Sequence, residues 1–434
     1  MIYILGILGT AYIVIWIEQV RPSDLGFYRN IYQKEEVLDR RKEYPFRAKD
    51  TALSERERKI ARTAWSYFER NYVDSTGFVN SVDKYPATTL WDLSSSLHAL
   101  LSAHNLGLID RSVMDRRLTR CFKSFLEMPL YQGKLPNKVY NTRKLKMVDY
   151  DNRITQEGVG WSALDIGRFF SVCARIVNHY PAHTDLVKKV IDRWDTAPLV
   201  QEGQLYGIGF SYRDGDASVV QEGKLGYEEY AAKGYRELGF DVSRALRYLD
   251  FYKIVETHGV EVLVDSREVK EHPAYNYVLS APYILDQIEY GGDRTSKELA
   301  HRVFRAQKKR SKIKDRLIAV SETHIDTAPY FVYNCLYVNG ELWNCIAEDG
   351  SDADRFRSLS TSAAFGWSYV YDTPYSERLR EGVRSLYKKG NGFYSGRYQK
   401  QKGINKALTA NVNAMILECL DYHLNGPLVP IHRK

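Results

Sequence analysis

The chain is poor in cysteine and lacks the signatures of the commonest cofactor and nucleophile chemistries. Its five cysteines, Cys121, Cys173, Cys335, Cys345 and Cys419, are odd in number and show no metal-ligand spacing, which argues against a disulfide framework and against a zinc site. They read as small buried hydrophobes. There is no Walker A loop, no His-Glu-x-x-His, no Gly-x-Ser-x-Gly elbow and no Cys-x-x-Cys. Gly158-Val-Gly160 and Gly207-Ile-Gly209 lack the rest of a dinucleotide fingerprint. The Asp-rich metal motifs that isoprenoid chemistry would need are also missing. No cofactor and no metal are therefore expected, and the inventory that remains is carboxylates and water. No fixed repeat period supports an α-solenoid.

The 434 residues are ample for a large core, and 44% hydrophobic with 27% charged side chains is an ordinary globular balance. The unusual components are 33 tyrosines and seven tryptophans. Such rings suit a surface that is flat, apolar and wet at its edge. The net charge of +8 comes from 62 basic against 54 acidic side chains, both scattered. The densest basic run, Lys308 to Arg316, has neither the interleaved aromatics nor the module that nucleic-acid binding would require, so it reads as a solvated loop and no nucleic-acid partner is expected.

Residues Ile2 to Ile17 are uncharged and mostly large and apolar. As a helix they would span about 24 Å, short of a bilayer core of about 30 Å. A signal peptide would carry a basic start and a small-residue cleavage site, and neither is present. We read residues 1–18 as an uncleaved membrane anchor or export segment and 19–54 as a polar tether. The folded unit would then lie on the extracytoplasmic, periplasmic face. The basic residues Arg21, Arg29, Lys34, Arg40, Arg41 and Lys42 follow the segment, and the positive-inside rule pulls the other way, leaving the orientation open.

From Ser54 the pattern is helical almost throughout. Ser54 with Glu57 forms a capping-box signature, and Leu90, Leu93, Leu97, Leu100 and Leu101 follow helical spacing. Helices are expected near 54–71, 90–107, 111–127, 161–179, 183–195, 227–238, 241–256, 281–290, 294–311, 328–337, 358–371, 376–389 and 409–424, with a strand pair near 205–212. Helices of this length on fairly long loops suit an all-α (α/α)6 toroid, a six-hairpin barrel with minor short strands, over 55–430. In such a fold the helix ends converge on a cleft, where loops carry the chemistry.

Candidate site residues fall in clusters. Glu157 precedes a helix that would put Trp161 and Asp165 on one face, with Arg168 beside Asp165; an indole between acids suits a sugar ring, while an Asp165–Arg168 ion pair is the structural alternative. Trp91 and Asp92 open another helix, where Asp92 complements the helix dipole. The irregular loop from Leu135 to Tyr150 is long enough to be functional. Glu228 and Glu229, beside Tyr227 and Tyr230, offer a carboxyl that burial could turn into a general acid; a Glu229–Lys233 pair is the structural alternative. Glu322, His324 and Asp326 alternate, so they share one side of an extended segment; Asp326 could also cap a helix opened by Pro329, and a metal site from this trio is not expected.

Gly160-Trp-Ser-Ala-Leu-Asp-Ile-Gly-Arg168, Leu225-Gly-Tyr-Glu-Glu-Tyr-Ala-Ala-Lys-Gly234, Ala319-Val-Ser-Glu322 with Ala328-Pro-Tyr-Phe-Val-Tyr333, and Ala363-Ala-Phe-Gly-Trp367 together resemble the motifs of a bacterial family, the DUF3131 type. That family is related to glycoamylase-like (α/α)6 proteins of glucan and exopolysaccharide handling. The resemblance covers about 60–425 and implies a carbohydrate-active protein with a polysaccharide or oligosaccharide partner. It carries no settled catalytic assignment. Ser280-Ala-Pro-Tyr283 departs from the expected pattern, in which position 281 is acidic. The expected function is a glycoside hydrolase with Glu229 as acid and Glu157 or Asp165 as base. Trp91, Trp161 and Trp367 would stack on sugars, and Asp92, Glu228, Tyr230, Glu322, Asp326 and Tyr330 would contact substrate. The alternative is a non-catalytic glycan-binding or scaffold component of an export assembly.

Overall fold

The computed structural model describes residues 43–210, 217–269 and 274–429, together with residue 38. The expected anchor at 2–17 and most of the tether lie outside the described residues. Among the described residues, no helix is long and apolar enough to cross a membrane. All the described helices and strands belong to one compact unit that begins at Tyr44.

Eleven helices of at least nine residues are described: α1 (Glu55–Asn71), α2 (Leu90–Asn105), α3 (Arg111–Glu127), α4 (Ala163–His179), α5 (Thr184–Asp192), α6 (Tyr227–Glu237), α7 (Ala281–Tyr290), α8 (Arg294–Ile313), α9 (Thr361–Val370), α10 (Pro374–Val383) and α11 (Ala410–Asn425). Their starts are dictated locally. Ser54 and Glu57 close a reciprocal capping box on α1, and Thr89, Ser162, Ser360 and Thr409 cap α2, α4, α9 and α11 by accepting a backbone N–H three residues on. Six helices pack in a closed cycle of neighbours, α2 to α4 to α6 to α7 to α9 to α11 and back to α2. Two glycines bring α4 and α6 close, because a Cβ on Gly234 would overlap the carbonyl of Gly167. Against this cycle pack α1, α3, α5, α8 and α10. All five cysteines are buried and free.

The helix expected at 241–256 is absent. Tyr252–Thr257 instead pairs antiparallel with Val260–Asp265 across His258 and Gly259, both at positive φ, +52° and +70°. The β-branched run Ile254-Val255 and Val260 to Val264 wins over helical spacing once a two-residue turn is available. The helix expected at 328–337 is also absent: Phe331–Asn334 is a strand between Glu322–His324 and Cys345–Ile346. The expected strand pair near 205–212 forms as Gln204–Phe210 against Ala217–Gln221.

The cycle is closed inside by charge. Arg168, on α4, is 2% exposed and lies 3.2 Å from Glu289 of α7 and 3.1 Å from Glu418 of α11. It also donates to the Tyr230 hydroxyl of α6 at 2.9 Å and sits 4.8 Å from the Trp91 ring of α2. The expected Asp165–Arg168 pair is therefore replaced by a buried network, and Lys233 likewise pairs with Asp286 and Asp293, not Glu229. Burial holds Glu418 well above the carboxylate range despite Arg168. His98, Glu289 and Glu418 come within 4.8 Å of one another, a spacing that a cation could use, but the guanidinium of Arg168 already meets both acids. Removing one partner of such a network leaves uncompensated charge. Arg168→Met should lower stability by about 3–5 kcal/mol in urea unfolding; a loss below about 1 kcal/mol would show that the network does not hold the cycle together.

Candidate active site

The starts of α2, α4 and α6 come together at one cleft. Its first wall is built from the starts of α2 and α4 and from Glu222, which follows the strand Ala217–Gln221. Ser162, the cap of α4, places its Oγ 3.1 Å from Asp165 Oδ1 and 2.7 Å from Glu222 Oε1. The same Oγ accepts the Asp165 backbone N–H at 3.2 Å. Glu222 Oε2 accepts the Ala163 N–H at the head of α4, and Trp91 N–H lies 3.4 Å from Asp165 Oδ2. Asp92 accepts from Thr89 Oγ1 at 2.7 Å and from Ser81. Room for Glu222 is made by Gly207, where a Cβ would overlap its Oε2, while Gly160, at φ +97°, lies against Ile208. The two short glycine motifs thus shape this wall.

One hydroxyl proton cannot serve two carboxylates. Glu222 is the better acceptor because it also takes backbone N–H groups at a helix start, so Ser162 donates to it and Asp165 holds a proton that it donates to Ser162 Oγ. The electrostatics agree: burial, then the charge of Glu222, raises Asp165 to about 7. Burial also raises Glu222, against the opposing charge of Lys138. Lys138 itself is tied by its Nζ to the Ile208 carbonyl at 2.7 Å.

The second wall is the sheet that contains Glu322. This carboxylate is raised by burial and accepts from Tyr227 and Ser321 hydroxyls. A band of rings, partly exposed except for the buried Tyr227, runs along the cleft: Trp91 against Tyr227 at 5.6 Å, Tyr227 against Tyr277 at 6.1 Å, Tyr277 stacked on Tyr333 at 4.7 Å, Tyr333 against Phe331 at 5.2 Å, and Phe331 against His324 at 4.9 Å. Tyr150 is 59% exposed, yet its hydroxyl is pushed up by desolvation and then by the charges of Asp165, Glu348, Glu222 and Asp92. A partly solvated acid pair beside a band of rings can hold a sugar polymer and protonate one of its oxygens.

With this geometry in place, the comparisons decide the family. The DUF3131 model, described as a protein of unknown function, matches residues 59–426. The chain belongs to the DUF3131 family. No curated protein matches the sequence of this DUF3131 chain. Solved structures resemble it in fold: an endo-β-1,2-glucanase from Chitinophaga pinensis in complex with sophorotriose and glucose, at TM-score 0.58 and 13% identity, covering 87% of this chain and 94% of the other; an endo-β-1,2-glucanase mutant from Talaromyces funiculosus with β-1,2-glucan, at 0.55 and 14%, covering 87% and 85%; and a candidate glucoamylase from Bacteroides caccae, at 0.57 and 12%, covering 86% and 94%.

The DUF3131 motifs scatter the residues expected from sequence. Trp91, Asp165 and Glu322 come together in the cleft, with Asp92 buried behind Asp165. Asp326 and Tyr330 lie further along the Glu322 segment, exposed; Asp326 caps no helix but accepts from Tyr398 at 2.5 Å and from Lys406 N–H at 2.8 Å. Trp161 and Trp367 are core residues at 3% and 0% exposure, tied to the Tyr206 carbonyl and the Ser280 hydroxyl, so neither is a stacking surface. Tyr230 is equally buried in the Arg168 network. Glu229 is sealed and accepts the Gly226 N–H at 2.7 Å; burial and neighbouring Glu228 raise it to about 8, but its carboxyl caps α6 and does not face the cleft. Glu228 is paired with Arg267 at 2.9 Å, and Glu157 is an exposed loop residue. Sequence reasoning missed Glu222, Ser162 and the Tyr277–Tyr333 stack. The available signal for Glu222 was its place between a β-branched strand and a glycine-rich helix start.

Because Asp165 is raised above its unfolded value, its contribution to stability is present below about pH 4 and is lost as pH rises through about 7. Asp165→Asn, which mimics the protonated state, should therefore raise stability over wild type at pH 8 by about 1–2 kcal/mol, discounted for partial exposure, and by much less at pH 5. Equal effects at both pH values in thermal unfolding would refute the proton placement.

Proposed function

We propose that this chain is a glycoside hydrolase of bacterial β-glucan or exopolysaccharide, with a β-1,2-linked glucan as the first substrate to try. The observation that carries this reading is the acid pair bridged by Ser162, in which Asp165, raised to about 7 by burial and by Glu222, faces an aromatic-lined cleft. The scaffold we assign is an (α/α)6 toroid. Its inner ring is α2, α4, α6, α7, α9 and α11, and the hairpin Tyr252–Asp265 takes the outer position between α6 and α7. Support comes from the fold of the glucanases named above, two of which are in complex with β-1,2-linked glucose chains or oligomers.

In this mechanism Asp165 donates its proton to the glycosidic oxygen as the bond to the anomeric carbon breaks. Glu322, on the facing wall, takes a proton from the water that attacks that carbon, as an inverting enzyme requires. Glu222 holds the Ser162 hydroxyl so that Asp165 keeps its orientation; after turnover Glu322 gives its proton to solvent and Asp165 regains one from solvent in the open cleft. Trp91, Tyr277 and Tyr333 offer faces for sugar rings. Residues 44–50 run along the C-terminal ends of α9 and α11, where Arg47 N–H bonds the Val370 carbonyl and Asp50 N–H the His423 carbonyl. We further assign residues 2–17 as a membrane anchor and the cleft to an extracytoplasmic polymer.

The binding-only alternative rests on position 281, where a buried methyl, 8% exposed, stands in place of an acid. Turnover separates the two readings. With the full chain and β-1,2-glucan, new reducing ends should appear, with a rate that falls above about pH 7 as Asp165 loses its proton. Asp165→Asn should cut kcat by about 10²–10⁴, whereas Trp91→Ala should chiefly raise KM. Tight polymer binding without any new reducing ends would make the protein a binder.

A further inference from the structure

In the sheet of the second wall, the strand register says which side chains share a face. Glu322 lies directly opposite Tyr333, and Tyr333 directly opposite Ile346, across antiparallel strands, so these three side chains point the same way. One pleat along, His324 and Phe331 form the next pair on that face. The third strand ends at Ile346 and turns at once: Gly350 N–H bonds the Ala347 carbonyl at 3.0 Å, and Ala347 N–H bonds the Ser351 carbonyl at 2.9 Å. Ile346 belongs to a cluster against which Tyr275, Tyr277 and Tyr333 pack. The turn lies beside the same rings, because a Cβ on Gly350 would meet the Tyr275 hydroxyl at 2.4 Å.

The turn and the chain just after it carry four acids, Glu348, Asp349, Asp352 and Asp354. Three of them are engaged locally. Asp349 accepts the Ser351 N–H at 2.9 Å and its hydroxyl at 2.6 Å, Asp352 accepts the Asp354 N–H at 3.2 Å, and Asp354 pairs with Arg357 and Lys400. Glu348 is exposed and has no hydrogen bond or ion pair among the described residues. Its charge still reaches two rings of the cleft. The Tyr333 hydroxyl is raised by burial, then by Tyr277 and Glu348; that of Tyr150, on the loop before α4, is raised by burial, then by Asp165 and Glu348. A carboxylate only accepts hydrogen bonds. Among the described residues Glu348 belongs to no group of three acids, histidines or cysteines placed to share a cation, so a partner must bring its own donors. Neighbouring hydroxyls of a sugar are such donors, and a sugar lying on Tyr333 presents them at its edge. The same charge opposes an acidic substituent there. Asp165, Glu222 and Glu322 line the same cleft, while Lys138 is held by the Ile208 carbonyl and Arg168 by buried acids, so no cation is at hand to offset that repulsion.

We propose that Glu348 binds the hydroxyls of a sugar lying on Tyr333 and makes the cleft selective for uncharged glycans. The proposal rests on the reading of the cleft as a glycan site, and its test separates the two. Calorimetry on the full chain would measure binding of β-1,2-glucan and of the same glucan partly carboxymethylated. Wild type should bind the neutral polymer, and the acidic one about tenfold more weakly at low ionic strength, with the gap closing in high salt. Glu348→Gln keeps the shape and removes the charge. It should weaken binding of the neutral polymer by about fivefold and narrow the gap between the two polymers. Because the side chain is exposed and unpartnered, the variant should melt with wild type. Unchanged affinity of Glu348→Gln for the neutral polymer, an unchanged gap, or equal binding of both polymers by wild type would overturn the role of Glu348 and leave the glycan site standing. Failure of wild type to bind either polymer would overturn both.

Discussion

One guanidinium organises this fold. Arg168 reaches from α4 to acids on α7 and α11, a hydroxyl on α6 and a ring on α2, so five of the six helices in the cycle share a single buried cation. A hydrophobic core of the same volume could be as stable, but it would not specify which helix meets which. The network does, because each acid left unpaired would carry a large penalty. Its lower half repeats the device, with Arg175 of α4 on Asp421 of α11 and Ser102 of α2. The closed cycle that results brings the starts of α2, α4 and α6 together.

That orientation sets the chemistry of the cleft. Helix starts present unbonded N–H groups and partial positive charge, which suit ionised acids. Glu222 uses them at the head of α4, whereas Asp165 shares only a serine hydroxyl and a long contact with the Trp91 N–H. The same local field therefore treats the two acids differently, and burial with the charge of Glu222 raises Asp165 to about 7. Two carboxylates in different environments can take different roles.

The parts legible in sequence were those decided by nearest neighbours. Capping residues and apolar spacing located most helices within a few residues, and Ser54 with Glu57 was read down to its reciprocal bonds. The failures have common physics. Tyr252–Asp265 is a hairpin because β-branched residues flank a turn at His258-Gly259, a local signal that helical spacing masked. Trp161 and Trp367 were expected as platforms because tryptophan suits sugars, yet equally it fills cores. Glu229 looked like an acid and Glu222, seven residues earlier, did not, since the difference between them is which one faces the cleft.

Sequence alone determined the helix-rich fold and the family, because helix period, caps and motif strings are properties of short stretches. Tertiary structure alone decided which carboxylates meet. Asp165 and Glu222 are 57 residues apart in the chain and meet only through Ser162, and Glu322 joins them from a sheet that the sequence read as the approach to a helix. A proton's position depends on burial and on the charges across a gap, and those distances exist only once the ring of helices has closed.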